Sequence, residues 1–326
     1  MHIKDGFLSP EVCLLTSAAA AGAVAYSLHR LKDSLSDRTV PLTGMMASLI
    51  FAGQMVNFPL PGVGVSGHLL GGVLASVVLG PWAGCIAIAL VLFVQLALFS
   101  DGGWLVLGAN VLNMAVIGGW GGWAVYRAVR RALGDGSTGI IVGSVVASWL
   151  SVMAAASLFC LEFGLSWPAG KYDLSRVFSL MVLFHSGIGI GEAIITGLVV
   201  SYVLAQRPDL IHTPEPRGGT LPELSRALWA GMVVALAVAA FLGPFASEYA
   251  DGLDSVAERT QFIDLEQKPA IALLEDYEIP QLSDRWDKLA VSAAGIGGTL
   301  AVLVTALLLG LVLRPQRPAA EASHGS

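Results

Sequence analysis

The chain has 326 residues, of which 55% are hydrophobic and only 13% are charged, and its mean hydropathy is +0.72. A soluble globular domain carries roughly 25% charged residues, so this composition excludes an ordinary soluble protein and predicts a polytopic protein of the lipid bilayer. The formal net charge is −6 and the sequence has no basic patch, which excludes a nucleic-acid partner.

The first two residues, Met1 and His2, form a chelating sequence. The α-amine of Met1, the backbone nitrogen of His2 and the His2 imidazole can close adjacent chelate rings around one metal ion. An imidazole from elsewhere in the chain would complete a square-planar set of nitrogens, a geometry that selects Ni(II) or Cu(II) over structural zinc. The alternative is an ordinary frayed terminus, in which His2 has no special role.

Apolar stretches long enough to cross a membrane recur along the chain. A spanning helix needs roughly 20 mostly apolar residues, with about 17 to 25 tolerated. Nine stretches fit, and they predict an all-α bundle of about nine transmembrane helices. They lie at 11–29, 41–57, 64–80, 82–100, 105–126, 139–161, 177–205, 226–247 and 289–313. The second of these stretches is short and the third is rich in glycine.

The positions of the basic residues predict the orientation of the chain, because Lys and Arg accumulate in short cytoplasmic loops. With the N-terminus outside, 11 of the 18 Lys and Arg residues fall on the cytoplasmic side. Four of the other seven lie in one long outer loop, which the rule discounts. We therefore expect an extracytoplasmic N-terminus, which carries His2, and a cytoplasmic C-terminus.

Composition divides the chain into two units. Residues 206–225 are rich in proline and polar residues and predict a cytoplasmic linker between a seven-helix unit, 1–205, and a two-helix unit, 226–326. Between the last two spans, the segment 248–288 carries eleven acidic residues against four basic ones. We expect this segment to be a partly ordered outer loop that accounts for the negative net charge.

His68 is the candidate for the fourth nitrogen ligand. It lies in the glycine-rich segment 62–72, on the same predicted side of the membrane as His2, and glycine lets the backbone turn tightly there. A histidine satisfied by interhelical hydrogen bonds is the alternative. Two outward histidines and a free amine together favour a metal site.

Several polar residues lie close to the candidate ligands in the predicted topology. Asn57 and Asn110 are candidates for holding the His68 loop or fixing the tautomer of an imidazole. Ser66 belongs to the same group, and Asp5 is expected to cap or tether the N-terminal strand. For Asn113, an interhelical hydrogen bond is the preferred interpretation.

In the seventh span, His185 and Glu192 are seven residues apart and share one helix face. Ionisable groups at membrane depth are costly, so the pair is either a proton or metal relay or a buried polar lock between helices. The sequence has no GxxxxGK[ST], HExxH or GxSxG motif. We therefore expect neither a catalytic site nor an ATP-binding site of its own.

Four ordered motifs resemble the nickel/cobalt substrate-binding components of energy-coupling-factor transporters, the NikM and CbiM type. They are MHIKDGFLSP, NFP followed by SGHLLGG, SDGG followed by LGANVLNM, and HSGIGIGEAIITG, within residues 1 to about 205. The last two spans and the segment ADGLD at 250–254 are similar to the small NikN or CbiN subunit. That subunit usually has PDGLE here, so this chain differs at the first and last positions.

The resemblance implies a multi-pass substrate-binding (S) component in the prokaryotic cell (inner) membrane. It implies Ni(II) as transported substrate, bound by the Met1 amine, the His2 backbone nitrogen and imidazole, and the His68 imidazole. It also implies a transmembrane coupling (T) subunit and a pair of cytoplasmic ATPases as partners. The expected function is high-affinity nickel uptake without chemistry of its own.

Three alternatives remain open at the level of sequence. Cobalt is a close alternative substrate, although square-planar amide ligation favours nickel. A stand-alone, proton-coupled metal transporter would use His185 and Glu192 as its relay. An intramembrane metalloenzyme would need a general base and an open coordination position, for which the sequence offers no convincing candidate. We further expect the loop 248–288 to cover or load the outer metal site.

Overall fold

A computed structural model describes residues 2–32, 38–212, 221–267, 274 and 287–313. Met1, the middle of the expected linker, most of the expected loop after residue 267, and the last residues of the chain lie outside the described residues. Within them the protein is a helical bundle with one small antiparallel sheet of two strands, which confirms the predicted all-α class.

The first half of the chain contains five helices and both strands among its described residues. These are α1 (Pro10–Lys32), α2 (Thr39–Gln54), β1 (Phe58–Leu60), β2 (Val65–Gly67), α3 (Gly72–Leu79), α4 (Pro81–Phe99) and α5 (107–133). Two of these helices contain π-helical turns, over Gln95–Phe99 in α4 and over Val111–Gly121 in α5. Such turns re-aim side chains and occur frequently at functional sites.

In the described parts of the second half there are four long helices and one short one. They are α6 (Ser137–Ser166), α7 (Leu174–Gln206), α8 (Leu221–Ala237, continued by Val238–Leu242 and Gly243–Phe245), α9 (Gly252–Arg259) and α10 (Asp287–Leu313). Short 3₁₀ turns, Pro208–Leu210 and Ile263–Leu265, follow α7 and α9.

Six helices of the described chain are long and apolar enough to cross a membrane: α1, α4, α6, α7, α8 and α10. Helices α2 and α5 cover two further predicted spans, but α2 has only 16 residues. The prediction of a spanning helix over 64–80 is wrong in its first half, where β2 and a turn precede the eight-residue α3. Gly64 and Gly71 there have φ values of 65° and 80°, which a right-handed helix does not contain.

A cluster of buried apolar side chains joins the N-terminal segment 2–9 to both halves of the chain. Ile3 and Phe7 are fully buried in it, together with Phe163 of α6 and Phe262 after α9. The ring of Phe262 lies 5.1 Å from that of Phe7 and 4.4 Å from that of Phe163, measured between centroids. Burying one such side chain contributes roughly 1.5–3 kcal/mol, so the cluster opposes fraying of the N-terminus.

Helix α10 packs against α2 through glycine. A side-chain carbon added at Gly298 would overlap the rings of Phe51 and Phe99, whereas one added at the neighbouring Gly297 would meet open space. The close approach therefore depends on the absence of a side chain at one position of α10 and not at the next.

This difference predicts opposite outcomes for two adjacent substitutions. Gly298→Val should lower the free energy of unfolding by about 1–3 kcal/mol, because an overpacked core must shift its neighbours. Gly297→Val carries the same change in helix propensity without the overlap and serves as the matched control. Thermal unfolding of the purified variants in detergent checks this, and equal stabilities would contradict the assigned packing.

Candidate metal-binding site

The loop that carries His68 is held by a buried carboxylate from α7. Glu192, which is fully buried, accepts hydrogen bonds from the backbone nitrogens of Leu70 at 2.6 Å and Gly71 at 2.9 Å. A buried carboxylate is stable only when such donors compensate its lost hydration. Glu192 therefore anchors the turn between β2 and α3, and with it the position of His68.

The N-terminal segment is held by a second set of polar contacts, to the chain before α5 and to α5 itself. The Asn110 side chain pairs with the backbone of Ile3 in both directions: Oδ1 accepts from the Ile3 nitrogen at 2.8 Å and Nδ2 donates to the Ile3 carbonyl at 3.0 Å. The Asp5 carboxylate accepts from three consecutive backbone nitrogens, those of residues 104–106. Asp5 therefore tethers this segment.

Gly103 explains why Asp5 can approach so closely. A side-chain carbon at position 103 would overlap the Asp5 carboxylate. The second glycine of the SDGG motif, Gly103, is therefore required for the contact with Asp5.

These two anchors bring His2 and His68 together. The imidazole rings stack with their centroids 5.0 Å apart and their planes 16° from parallel, and each side chain is 7% exposed. Burial lowers the pKa of His2 to about 3 and also lowers the pKa of His68, so both rings are neutral at pH 7. Neutral imidazole is the form that binds a metal ion.

Each ring has defined polar neighbours. His2 Nδ1 lies 3.1 Å from Asp101 Oδ1, and His2 Nε2 lies 3.2 Å from Gln95 Oε1. His68 Nδ1 lies 2.9 Å from the Leu69 carbonyl oxygen. Gln95 in turn donates to Gln54 Oε1 at 2.8 Å.

Sequence reasoning missed Gln54, Gln95 and the contact of Asp101. Gln54 and Gln95 are the two glutamines inside the predicted spans, so the rule that flagged His185 and Glu192 would also have flagged them. Asp101 lies at the turn after α4, where nothing in the sequence indicates that it faces His2.

The other predicted residues lie in different surroundings. Ser66 donates from its hydroxyl to the Tyr249 carbonyl at 2.7 Å, and the Asn57 carbonyl accepts from the Ser247 nitrogen at 2.8 Å. Both residues thus contact the segment before α9. Asn113 Nδ2 donates to Glu162 Oε2 at 2.9 Å, which is the interhelical hydrogen bond expected for it.

His185 does not pair with Glu192, whose carboxylate binds the His68 loop. His185 Nδ1 lies 2.9 Å from the Met181 carbonyl, and Nε2 has no hydrogen-bond partner among the described residues. The ring lines a small cavity of about 10 Å³, together with His68 and Asp251. His185 is therefore near the site, but separate from the contacts that fix it.

In the part of the chain that the structure describes, no group of three or more His, Cys, Asp or Glu side chains is arranged to hold a metal ion. A metal bound beside His2 and His68 would therefore need backbone or terminal nitrogen donors as well. Such donors are those that the sequence Met1-His2 offers.

Comparison with known proteins identifies the family. A family described as "Cobalt uptake substrate-specific transmembrane region", CbiM, matches residues 2–210, and the PDGLE domain matches residues 225–315. The chain belongs to the CbiM family. It is accordingly a multi-pass protein of the cell membrane and a transport protein rather than an enzyme, as the sequence motifs predict.

Relatives that match most of the chain are named as fused nickel transport proteins. The chain is 36% identical to a putative fused nickel transport protein NikMN of Archaeoglobus fulgidus, over 95% of this chain and 98% of the relative. It is 37% identical to the fused nickel transport protein NikMN of Rhodobacter capsulatus, over 77% and 75% of the two chains. A crystal structure of a truncated transition metal transporter matches with a TM-score of 0.57 and 33% identity, over 63% of this chain and 99% of that one.

The PDGLE domain of this chain reaches the N-terminal segment directly. Lys4 Nζ lies 3.1 Å from Asp254 Oδ2 and 3.2 Å from Glu266 Oε2, and the Gln267 nitrogen donates to the Asp5 carbonyl at 2.8 Å. Burial opposes the charge on Lys4, but the two carboxylates outweigh it and hold the pKa of Lys4 above its ordinary value. We call Lys4, Asp254 and Glu266 the N-terminal clasp.

Asp251 of the same domain starts α9 and also approaches the site. Its Oδ1 accepts from the backbone nitrogens of Leu253 and Asp254, both at 2.8 Å, which caps the helix. Its backbone bridges Ser66 of β2, two residues before His68. The PDGLE domain therefore contacts both segments that carry the candidate ligands.

The pairing between Asn110 and Ile3 predicts a local effect. Asn110→Leu removes both hydrogen bonds, so amide hydrogen exchange over residues 2–9 should become at least about tenfold faster, since roughly 1.4 kcal/mol of local stability corresponds to that factor. Asn57→Ala, which keeps the backbone carbonyl that accepts from the Ser247 nitrogen, should leave this exchange unchanged. Equal exchange in both variants would contradict the tether.

Proposed function

We propose that this chain is the membrane substrate-binding component of a nickel uptake system, and that it binds Ni(II) through Met1, His2 and His68. The observation that carries the proposal is the stacking of two buried imidazoles from distant parts of the chain, one of them in the second residue. The amine of Met1 and the backbone nitrogen of His2 would complete a planar set of nitrogens. Ni(II) suits that donor set.

Nickel is preferred to cobalt as substrate for two reasons. Square-planar nitrogen ligation that includes a deprotonated amide favours nickel over the more octahedral Co(II). Relatives that extend over both the CbiM and PDGLE regions are named as nickel transport proteins. Cobalt uptake by the same mechanism is the alternative, and the family description names cobalt.

Active transport requires energy, and the sequence contains no GxxxxGK[ST] motif for binding ATP. We infer a transmembrane coupling subunit and a cytoplasmic ATPase pair as partners. The N-terminus would face outward to capture the ion, and the C-terminus would lie in the cytoplasm. The division into a metal-binding unit, 1–205, a linker, 206–225, and a C-terminal unit, 226–326, belongs to the same proposal.

A self-sufficient, proton-coupled transporter is the alternative of a different class. It would need His185 and Glu192 to exchange a proton or ion. The two Glu192 oxygens instead accept from Leu70 and Gly71, which favours an anchoring role. Uptake by cells that lack any ATPase partner would support the alternative.

The experiment that tests the proposal is uptake of radioactive nickel by cells that carry the full transporter. His2→Ala and His68→Ala should each reduce uptake at submicromolar nickel to the background of cells without the protein, because each removes one of the nitrogen donors. His29→Ala, at an exposed histidine of α1, is the matched control and should transport normally. Normal uptake by either site variant would place the metal elsewhere.

The loop of the PDGLE domain would cover the metal site by holding the N-terminal segment. Its support is the N-terminal clasp, in which two acids of the domain pair with Lys4. The side chains involved are 25–29% exposed, so each ion pair contributes only about 1 kcal/mol or less to stability. Breaking the N-terminal clasp should therefore affect the position of the N-terminal segment and leave the overall fold intact.

Lys4→Met should reduce nickel uptake several-fold while the protein stays folded, because the terminal donors lose a contact that positions them. The double variant Asp254→Asn/Glu266→Gln should have the same effect, and combining all three changes should add little, as expected for one shared interaction. Lys32→Met, at the exposed end of α1, is the control. Uptake that is unchanged in Lys4→Met would remove the clasp from the mechanism.

A further inference from the structure

A line of buried amide groups connects the two loops of the metal site. Gln54 Nε2 donates to the Leu70 carbonyl at 2.9 Å, Gln95 Nε2 donates to Gln54 Oε1 at 2.8 Å, and Gln95 Oε1 lies 3.2 Å from His2 Nε2. Gln54 is 4% exposed and Gln95 is fully buried. Buried amide groups without hydrogen-bond partners are costly, so each amide of this line needs a partner for its oxygen and for its NH₂ group.

The direction of this line is fixed at its Leu70 end. A backbone carbonyl only accepts hydrogen bonds, so Gln54 must present its NH₂ group to Leu70 and its oxygen to Gln95. Gln95 must then donate to Gln54 through its own NH₂ group, which leaves its oxygen facing His2. Reversing either amide would set two oxygens or two NH₂ groups against each other.

The last step defines the tautomer of His2. The Gln95 oxygen can only accept, so it favours hydrogen on the facing Nε2 of His2. In the neutral ring the lone pair is then on Nδ1. Nδ1 faces Asp101 Oδ1 at 3.1 Å. This carboxylate also only accepts, so it competes with Gln95 for the ring hydrogen in the metal-free protein, and it attracts a cation to that edge of the ring.

His68 is set to the opposite tautomer by the same loop. Its Nδ1 lies 2.9 Å from the Leu69 carbonyl, which only accepts, so Nδ1 carries the hydrogen and Nε2 carries the lone pair. Two adjacent carbonyls, of Leu69 and Leu70, thus specify different metal-binding nitrogens on the two imidazoles. Glu192 accepts from the nitrogens of Leu70 and Gly71, so it holds the two consecutive peptide groups from which the assignments begin.

We propose that Gln54 and Gln95 are positioning residues that hold His2 as the tautomer with hydrogen on Nε2, so that Nδ1 binds the transported ion. The inference rests on the proposed metal site. Nδ1 is also the ring nitrogen that closes a six-membered chelate ring with the backbone nitrogen of His2, whereas Nε2 points away from the backbone. Without the Gln95 oxygen, the Asp101 carboxylate would favour hydrogen on Nδ1, so the ring would present an N–H to the ion.

The test uses the full-length protein with its own N-terminus, purified in detergent, and nickel as the probe. Gln95→Met keeps the volume but removes the acceptor, and should weaken nickel binding by about 10–100-fold, the usual effect of losing a group that orients a metal-binding histidine. Gln54→Met should weaken it less, because Gln95 loses only its orienting partner. Gln206→Met, the same change at the exposed end of α7, should bind as the unaltered protein does.

A conservative replacement separates positioning from packing. Gln95→Glu, kept protonated by burial, can donate its hydroxyl to Gln54 Oε1 and still offer His2 an acceptor oxygen. It should therefore retain most of the affinity and the nickel absorption spectrum, whereas Gln95→Met should lose both. If Gln95 only fills space, Gln95→Met should bind nickel as well as the unaltered protein or better than Gln95→Glu, and that result would overturn the proposal.

Nitrogen-15 NMR of the histidine rings decides the tautomer without any variant of the glutamines. In the metal-free protein, the His2 signals, assigned by their loss in His2→Ala, should show hydrogen on Nε2. An Nε2 without hydrogen would overturn the proposal, even if Gln95→Met did not fold. Failure of the metal site itself would appear differently, as unaltered protein that binds no nickel or binds it equally well without His2 and His68.

Discussion

The candidate site depends on two hydrogen bonds, which the Glu192 carboxylate accepts from the backbone nitrogens of Leu70 and Gly71. A buried carboxylate without donors would cost several kcal/mol, and these two backbone N–H groups, at 2.6 and 2.9 Å, compensate it. In return the carboxylate fixes a glycine-rich turn that would otherwise sample many conformations. The same turn carries His68, and its Leu69 and Leu70 carbonyls accept from the His68 ring and from Gln54.

The second requirement is an ordered N-terminus. Terminal residues normally fray, because the conformational entropy lost on ordering them costs more free energy than a few contacts contribute. Here the segment 2–9 buries Ile3 and Phe7, pairs Ile3 with Asn110, and tethers Asp5 to three backbone nitrogens. The PDGLE domain adds the N-terminal clasp from the opposite side. Two units of one chain thus converge on a single short segment.

Much of this arrangement can be predicted from the sequence, and the parts that cannot be predicted have physical reasons. The proposed chelating terminus, His68, Asn110 and Asp5 can be recognised in the sequence, because polar groups beside apolar spans are costly unless they serve binding or packing. The helix expected over 64–80 is wrong in its first half, because apolar content predicts burial and does not predict the left-handed backbone conformations of Gly64 and Gly71. The spacing of His185 and Glu192 predicts a pair on one helix face, but Glu192 binds the backbone nitrogens of a turn. Backbone groups occur at every residue, so the sequence does not indicate such a partner. The contacts of Asp101, Gln95 and Lys4 join segments far apart in sequence, and no local pattern encodes such pairs.

The central claim is that the chain terminus and His68 together bind nickel through nitrogen. X-ray absorption at the nickel edge of the metal-loaded, full-length protein tests it most directly, because the edge reports geometry and the fine structure reports the donors. The account predicts a square-planar spectrum with nitrogen donors only, in which the imidazole contribution falls in His68→Ala. An octahedral spectrum with oxygen donors, or one that His68→Ala leaves unchanged, would contradict it.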